Sequence, residues 1–436
     1  MKSKSWVLLV TIVFIVTSYA GIIFAQEQIT IEFWHPYGPP WDALMQSLVD
    51  AFNKSNPDIK VVAKMVPADA MFQKLATAVA SGQAPAVAHI WGSWSAIQLA
   101  SMGLTLPLDP YMKKDPEWNP EDIYPAYLQQ FKYRGQYVGL PDAVQATSTM
   151  WNKQLFKEVG LNPNTPPRSL KDIEKFSEKI TLKDDKGKLI RIGFIPNNIW
   201  GGFMNWAYLW GGIFYDEKKG KITASDPVNI EALKWQVDFF NKFGGVEQVS
   251  AFQAGFTGGE NDPFLMERLG IKIAAHYEHY FNHVYKPDLD YGFTMPIFSG
   301  PPDRRKGPIA HTDSSVLLKC KYPEAGYRFL KYITVGEGFL HASLDPGAYT
   351  SPNRKINEKA TKEGLVPAWY PKALWQQDLR VLEMARPHPV IPVVPQLMNE
   401  LASQTDLAYR NKKTPEEALK SVDEVVQREL NKVMSK

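Results

Sequence analysis

Rings and carboxylates recur in this sequence where apolar runs end, and that pairing has a definite chemistry. Trp34, His35 and Tyr37 follow the first such run, and Trp91, Ser93 and Trp94 follow the third. Asp142 follows Leu140. Asn198 and Trp200 follow Ile195, with Trp206 on the next segment. Tyr277 and Glu278 follow Ile273, His311 and Asp313 precede another apolar run, and Gly347 and Tyr349 lie further on. An aromatic ring offers a flat apolar face to C–H groups, and an Asp or Glu accepts hydroxyl protons in charge-assisted hydrogen bonds. Together they suit a ligand with apolar faces and a hydroxyl rim. The supply of rings is large, with 13 Trp, 19 Tyr and 22 Phe, and most of them are expected to pack in cores.

Other chemistries find less support. The segment His276-Tyr277-Glu278-His279-Tyr280-Phe281-Asn282-His283 places three imidazoles at helical spacing, which zinc could use. It matches no zinc-protease motif, and a strand end running into an aromatic helix is the preferred explanation. No metal and no cofactor is therefore assigned. There is no phosphate-binding Gly-rich loop, no dinucleotide fingerprint and no Gly-x-Ser-x-Gly elbow. A pair of glycosidase carboxylates is recognised only by its distance in the fold, so a secreted glycosidase or lyase stays open as an alternative. A buried anionic ligand, such as a sugar phosphate or a uronate, needs Arg or Lys partners. The one tight basic cluster, Arg304-Arg305-Lys306, sits in a Pro/Gly-rich loop, which favours a neutral ligand.

The elements that must position these residues follow from hydrophobic period. Ile29, Ile31 and Phe33 alternate with polar residues, as a strand does. Trp41, Leu44, Met45, Leu48, Val49 and Phe52 then recur at helical spacing, giving an apolar stripe. Ile59–Val66 reads as a second strand, Met71–Val79 as a second helix, and Ala86–Trp91 as a third strand before a helix around Trp94–Met102. That βαβαβα order predicts a mostly parallel sheet with helices on both faces. In open α/β sheets, ligands lie beyond the carboxyl ends of strands, which is why the strand-end residues above are the candidates. The alternation continues through strands near 148–152, 190–195, 271–276, 291–296 and 314–318. It closes with helices near 395–409 and 415–434.

The chain opens with Lys2 and Lys4, an apolar run from Trp6 to Val16 broken only by Thr11, and small-residue cleavage sites ending at Ala20 and Ala25. That is the pattern of a secretory signal over residues 1–25, with an uncleaved anchor as the alternative. Cys320 is the only cysteine, so no intrachain disulfide forms and no lipid-anchor cysteine follows the apolar run. The formal charge of +3 on 436 residues offers no basic surplus for nucleic acid.

Four blocks carry a family likeness. They are Ile31–His35 with Leu48–Val61; Ala78–Pro85; Tyr137–Pro141 with Met150–Leu161; and Pro415–Leu419. In this order they resemble the extracellular solute-binding proteins of ABC importers, in the sugar- and oligosaccharide-binding, maltose-binding-protein-like group. Trp151 stands where that family usually has Tyr, and Ala86 where it often has Asp. The resemblance implies a two-lobed α/β fold of the type II periplasmic-binding-protein kind, each lobe a mostly parallel sheet flanked by helices. Residues 26–146 and 302–345 are expected in the N-terminal lobe, and 147–301 and 346–436 in the C-terminal lobe. It also implies a carbohydrate ligand held between the lobes by hinge closure, a membrane permease as partner, monomeric action and a periplasmic location.

Overall fold

The computed structural model describes residues 28–38, 41–199, 201–338, 340 and 349–435. The proposed signal segment 1–25 and the candidates Trp200 and Gly347 lie outside the described residues. Strands appear in the order β1 (Ile29–His35), β2 (Ile59–Met65), β3 (Val87–Ile90), β4 (Lys132–Tyr133), β5 (Gln136–Tyr137), β6 (Leu140–Gln145) and β7 (Thr147–Asn152). They continue as β8 (Leu182–Lys183), β9 (Leu189–Ile199), β10 (Tyr215–Asp216), β11 (Lys221–Ile222), β12 (Leu269–Ala275), β13 (Tyr291–Thr294) and β14 (His311–Leu317).

Two five-stranded sheets organise the molecule. The first runs β2-β1-β3-β14-β6 and the second β13-β7-β12-β9-β8. In the first, β1 pairs in parallel with both β2 and β3, as the βαβαβα reading predicts, and β14 returns antiparallel between β3 and β6. The second sheet departs from the expectation of a mostly parallel sheet. Only β12–β9 is a parallel pair, while β7 runs antiparallel to both β12 and β13, and β8 to β9. The reason is connectivity. β6 ends at Gln145 and β7 begins at Thr147, so one continuous extended run passes from the first sheet into the middle of the second. It enters with the direction the first sheet gives it, opposite to that of β9 and β12.

Each sheet has its own core. Beneath the first, Phe33, Phe52 and Phe329 meet edge to face at about 5 Å. The helix Trp41–Ser55 buries Leu48, Val49 and Phe52 there. Trp41, Leu44 and Met45, on the first turn of the same stripe, stay partly exposed. Around the second sheet, Phe194, Trp206, Trp235 and Phe239 form a ring cluster. The C-terminal helices Val394–Tyr409 and Pro415–Met434 pack on this second core. The last starts with a capping box, the Thr414 hydroxyl accepting from the Glu417 N–H while the Glu417 carboxylate accepts from the Thr414 N–H. Among the described residues, no helix is long and apolar enough to cross a membrane.

Candidate functional site

Two of the passages between the sheets lie side by side. Ala146 joins β6 to β7, and its carbonyl accepts from the His276 N–H at 3.0 Å. Thr350 bridges to Val144, its hydroxyl donating to the Val144 carbonyl at 3.3 Å. Above these passages opens a cleft of about 270 Å³. The first lobe contributes Tyr37, Trp41, His89, Trp91, Asp142 and Asp313, the second contributes Tyr277 and Phe281, and Tyr349 comes from the last passage. Trp41 faces Tyr280 across the cleft at 6.0 Å between ring centroids.

A buried chain of polar groups forms the first-lobe wall. His89 Nδ1 lies 2.9 Å from Asp142 Oδ2, and His89 Nε2 lies 3.0 Å from the Tyr37 hydroxyl. The Tyr37 hydroxyl donates to Asp313 Oδ2 at 3.0 Å, and the Ser315 hydroxyl donates to Asp142 Oδ2 at 2.6 Å. Burial works against a charge on His89, but the Asp142 and Asp313 carboxylates outweigh it and push its pKa up to about 10. His89 is therefore an imidazolium that donates on both sides. Burial and the Asp313 and Asp142 charges raise Tyr37 well above the usual tyrosine range, so it stays a neutral donor.

Local backbone geometry aims these groups. Asp313 pairs with Asp142 and His311 with Gln145, so β6 carries one residue more than β14 over this stretch. This β-bulge places Ala143 at φ +32°, a conformation that favours glycine and costs a non-glycine residue about 1–3 kcal/mol. Consecutive residues of a regular strand point to opposite faces. Here Asp142 and Ala143 both line the cleft. Gly92 sits at φ +74°, and a Cβ there would fall 2.3 Å from the Trp94 ring. Glycine thus lets the Gly92 N–H reach Asp313 Oδ1, at 3.3 Å.

The second lobe adds a recess of about 410 Å³ that shares Tyr277 and Phe281 with the cleft. Asn198, Asp262, Lys272, Glu278 and Asn282 line it. The Lys272 ammonium sits 2.8 Å from Asp262 Oδ2 and in close contact with the Glu278 carboxylate. Burial opposes its charge, but the two carboxylates prevail and raise its pKa. The recess is thus internally neutralised to a net single negative charge.

Of the sequence candidates, Tyr37, Trp91, Asp142, Tyr277, Asp313 and Tyr349 meet in the cleft, and Asn198 and Glu278 lie in the adjoining recess. The others are corrected by packing. Trp34 alternates to the far face of β1, where its indole donates to Glu32 Oε2 at 2.7 Å and the Lys64 ammonium lies 5.0 Å from its ring. His35 is buried between Phe33 and Tyr37, and burial lowers its pKa to about 4. Ser93 is buried and donates to Gln130 Oε1 at 2.7 Å. Trp94 packs edge-on against His388 at 4.9 Å and borders a separate depression shared with Trp91 and Phe72. Trp206 is 0% exposed in the second core, its indole donating to the Ala232 carbonyl at 3.0 Å. His311 is buried against His388 at 5.2 Å. The rings of the His276–His283 run turn to separate partners: His279 is within 2.9 Å of the Ser148 hydroxyl and 3.1 Å of the Tyr291 hydroxyl, and His283 stacks on Trp369.

His89, Trp41 and Phe281 are among the cleft residues that escaped the sequence reading. His89 sits in the apolar strand Val87–Ile90, and a histidine in so apolar a run was the available signal. Trp41 lies on the helical stripe and reads there as core. Phe281 stands one helical turn after Tyr277, so the pair share a face.

The sequence profile of the bacterial extracellular solute-binding protein family matches residues 36–335. The sn-glycerol-3-phosphate-binding periplasmic protein UgpB of Escherichia coli (strain K12) is 25% identical over 215 residues, covering 47% of this chain and 46% of that protein. The chain thus spans about half the length of these curated relatives. A binding protein of Brucella abortus (strain 2308) is 26% identical over 302 residues, covering 66% of this chain and 70% of that one. Among solved structures, CpMnBP1 with mannotriose bound superposes with a TM-score of 0.76 at 25% identity, covering 92% of this chain and 100% of that chain. The sugar-binding protein MalE of Xanthomonas citri superposes at 0.73 and 19% identity, covering 92% and 98%. With its two-sheet architecture and interlobe cleft, this chain belongs to the bacterial extracellular solute-binding protein family.

Proposed function

We propose that this chain is the secreted substrate-binding component of an ABC importer, which captures a neutral sugar or oligosaccharide between its lobes and delivers it to a membrane permease. One observation carries the reading. Rings from both lobes flank a cleft whose polar wall is two carboxylates, and among the described residues no lysine or arginine lines it. A sugar ring stacks between Trp41, Trp91, Tyr277 and Tyr349 while its hydroxyls donate to Asp142 and Asp313. The structural likeness to a mannotriose-bound protein supports the same ligand class. The relatives that bind sn-glycerol-3-phosphate favour an anion, but two carboxylates against the single His89 charge leave this cleft acidic.

Closure follows from two-sided lining. A ligand touching Asp313 and Tyr277 together stabilises the closed arrangement over the open one, and that difference alone shifts the population. The lobes comprise residues 26–146 with 302–345, and 147–301 with 346–436. The β6–β7 junction at Ala146 supports the first boundary. Residues 1–25 act as the secretion signal, which gives a periplasmic, monomeric carrier. Asp142 and Glu278 serve binding and ion pairing rather than catalysis.

The test is a thermal-shift screen of the mature chain against mono- and oligosaccharides, uronates and sugar phosphates, with product analysis of each mixture. The expected result is a raised midpoint with an intact neutral sugar. Shifts with sugar phosphates alone would replace the neutral ligand by an anion. Hydrolysis products would replace the carrier by an enzyme.

A further inference from the structure

The polar wall of the cleft has the arrangement of an incomplete coordination shell. Three donor atoms, His89 Nε2, the Tyr37 hydroxyl and Asp313 Oδ2, form a triangle with sides of 3.0, 3.0 and 3.7 Å. Bonds of about 2.1 Å to one first-row metal ion put neighbouring donors roughly 3.0 to 3.4 Å apart, between octahedral and tetrahedral geometry. The triangle therefore needs only a few tenths of an ångström of adjustment to receive such an ion.

The surroundings are those of a metal-ligating histidine. His89 turns its other nitrogen, Nδ1, to Asp142 at 2.9 Å, and Asp142 is itself held by Ser315 at 2.6 Å. A carboxylate on the far nitrogen fixes ring orientation and raises the basicity of the ligating one. His89, Asp142 and Asp313 together place their donor atoms within 4.8 Å of one another. Within this cluster Asp142 is 5% exposed, lines the cleft and keeps its second oxygen, Oδ1, without a hydrogen-bond partner. Buried carboxylate oxygens seldom stay unsatisfied, so Oδ1 is left to accept from a ligand in the cleft while Oδ2 holds His89.

We propose that His89, Tyr37 and Asp313 form a binding site for one divalent first-row metal ion, zinc being the fitting case, with Asp142 positioning His89 from behind. All three donors line the cleft. The fourth coordination position therefore opens on it and takes a water or a ligand oxygen. Loading displaces two protons to solvent, the one between His89 Nε2 and Tyr37 and the phenol proton that Tyr37 gives to Asp313, so that all three donors face the ion. The site stands on these residues alone and does not depend on which solute the cleft carries.

The test uses the mature chain without sugar. It is stripped with chelator, dialysed against Zn2+ and assayed for retained metal, then loaded with Co2+ and read by visible absorption. The expected result is one zinc per chain and the intense absorption of a low-symmetry, four-coordinate cobalt site. His89→Gln and Asp313→Asn should each lose retained zinc, and Asp142→Asn should weaken binding roughly 10- to 100-fold while leaving the stoichiometry at one. Tyr37→Phe, which keeps the ring, covers the case in which a charge change prevents folding, and melting of the metal-free chains identifies that case. Zinc held equally by the parent, His89→Gln and Asp313→Asn, or no zinc retained by the parent, would overturn the proposal. A sugar screen that fails leaves this result untouched, and a metal assay that fails leaves the sugar screen untouched.

Discussion

The two walls of the cleft are built on different principles. The first-lobe wall is a chain of directional polar groups, Asp142, His89, Tyr37 and Asp313, each fixing the next. The second-lobe wall presents the rings of Tyr277 and Phe281, and its charges, Lys272 with Asp262 and Glu278, are spent on one another. A ligand therefore finds its orientation on the first lobe, and the second lobe adds only apolar cover to that of Trp41 and Trp91. Polar groups fixed before binding lose little entropy on contact. Rings tolerate the small misalignments that a moving lobe brings.

Four measurements sharpen or break that contrast. The largest expected effect is on the second lobe's internal pair. Lys272→Met leaves the buried Glu278 and the half-buried Asp262 carboxylates without their cation and should destabilise the fold by about 3–5 kcal/mol in denaturant unfolding. If stability barely changes, the recess charges are not spent on each other and belong to ligand binding. Next comes the first-lobe wall. Asp313→Ala should lower affinity for the solute by about 1.5–3 kcal/mol, roughly 10- to 100-fold, by titration calorimetry. Unchanged affinity would move orientation to the second lobe.

The third concerns protons. Burial holds His279 and His388 neutral with pKa values of about 3, and His35 at about 4, against 6.5 when unfolded. Below 6.5 the unfolded chain takes up protons that the folded chain refuses. Stability is therefore full above pH 6.5 and falls as the pH drops towards 3 to 4, by up to about 1.4 kcal/mol per group per pH unit. Unfolding midpoints measured at pH 7 and pH 5.5 should show the loss, and equal midpoints would mean these rings can take up protons in place. The smallest effect is at Trp91, which is 51% exposed. Trp91→Ala should cost about 0.5–1.5 kcal/mol of solute affinity with little change in stability. A larger loss would make the first lobe the main source of apolar cover.

The order of strands and helices was legible because local periods carry it. The β1 alternation, the Trp41–Ser55 stripe and the C-terminal helix Pro415–Met434 all stand where the pattern predicts. Strand-end position located the site region but could not choose sides. Trp34 and His35 are adjacent in β1, and the pleat sends Trp34 to the opposite face while Phe33 and Tyr332 close the other core. Trp206 reads as well for a cleft as for a core, and only the cluster with Phe194, Trp235 and Phe239 decides for the core.

Composition and local patterning by themselves determined that this chain forms α/β units, needs no disulfide and carries rings and carboxylates at strand ends. Those properties depend on residues near one another in sequence, so they can be read without the fold. Tertiary structure alone decided which of those residues meet. Tyr37, His89, Asp142 and Asp313 are brought within hydrogen-bonding reach by β14 inserting between β3 and β6, and by a bulge at Ala143 that no local pattern announces. The energy of that arrangement lies in contacts up to 276 residues apart in sequence, and such pairings are fixed only when the whole sheet assembles.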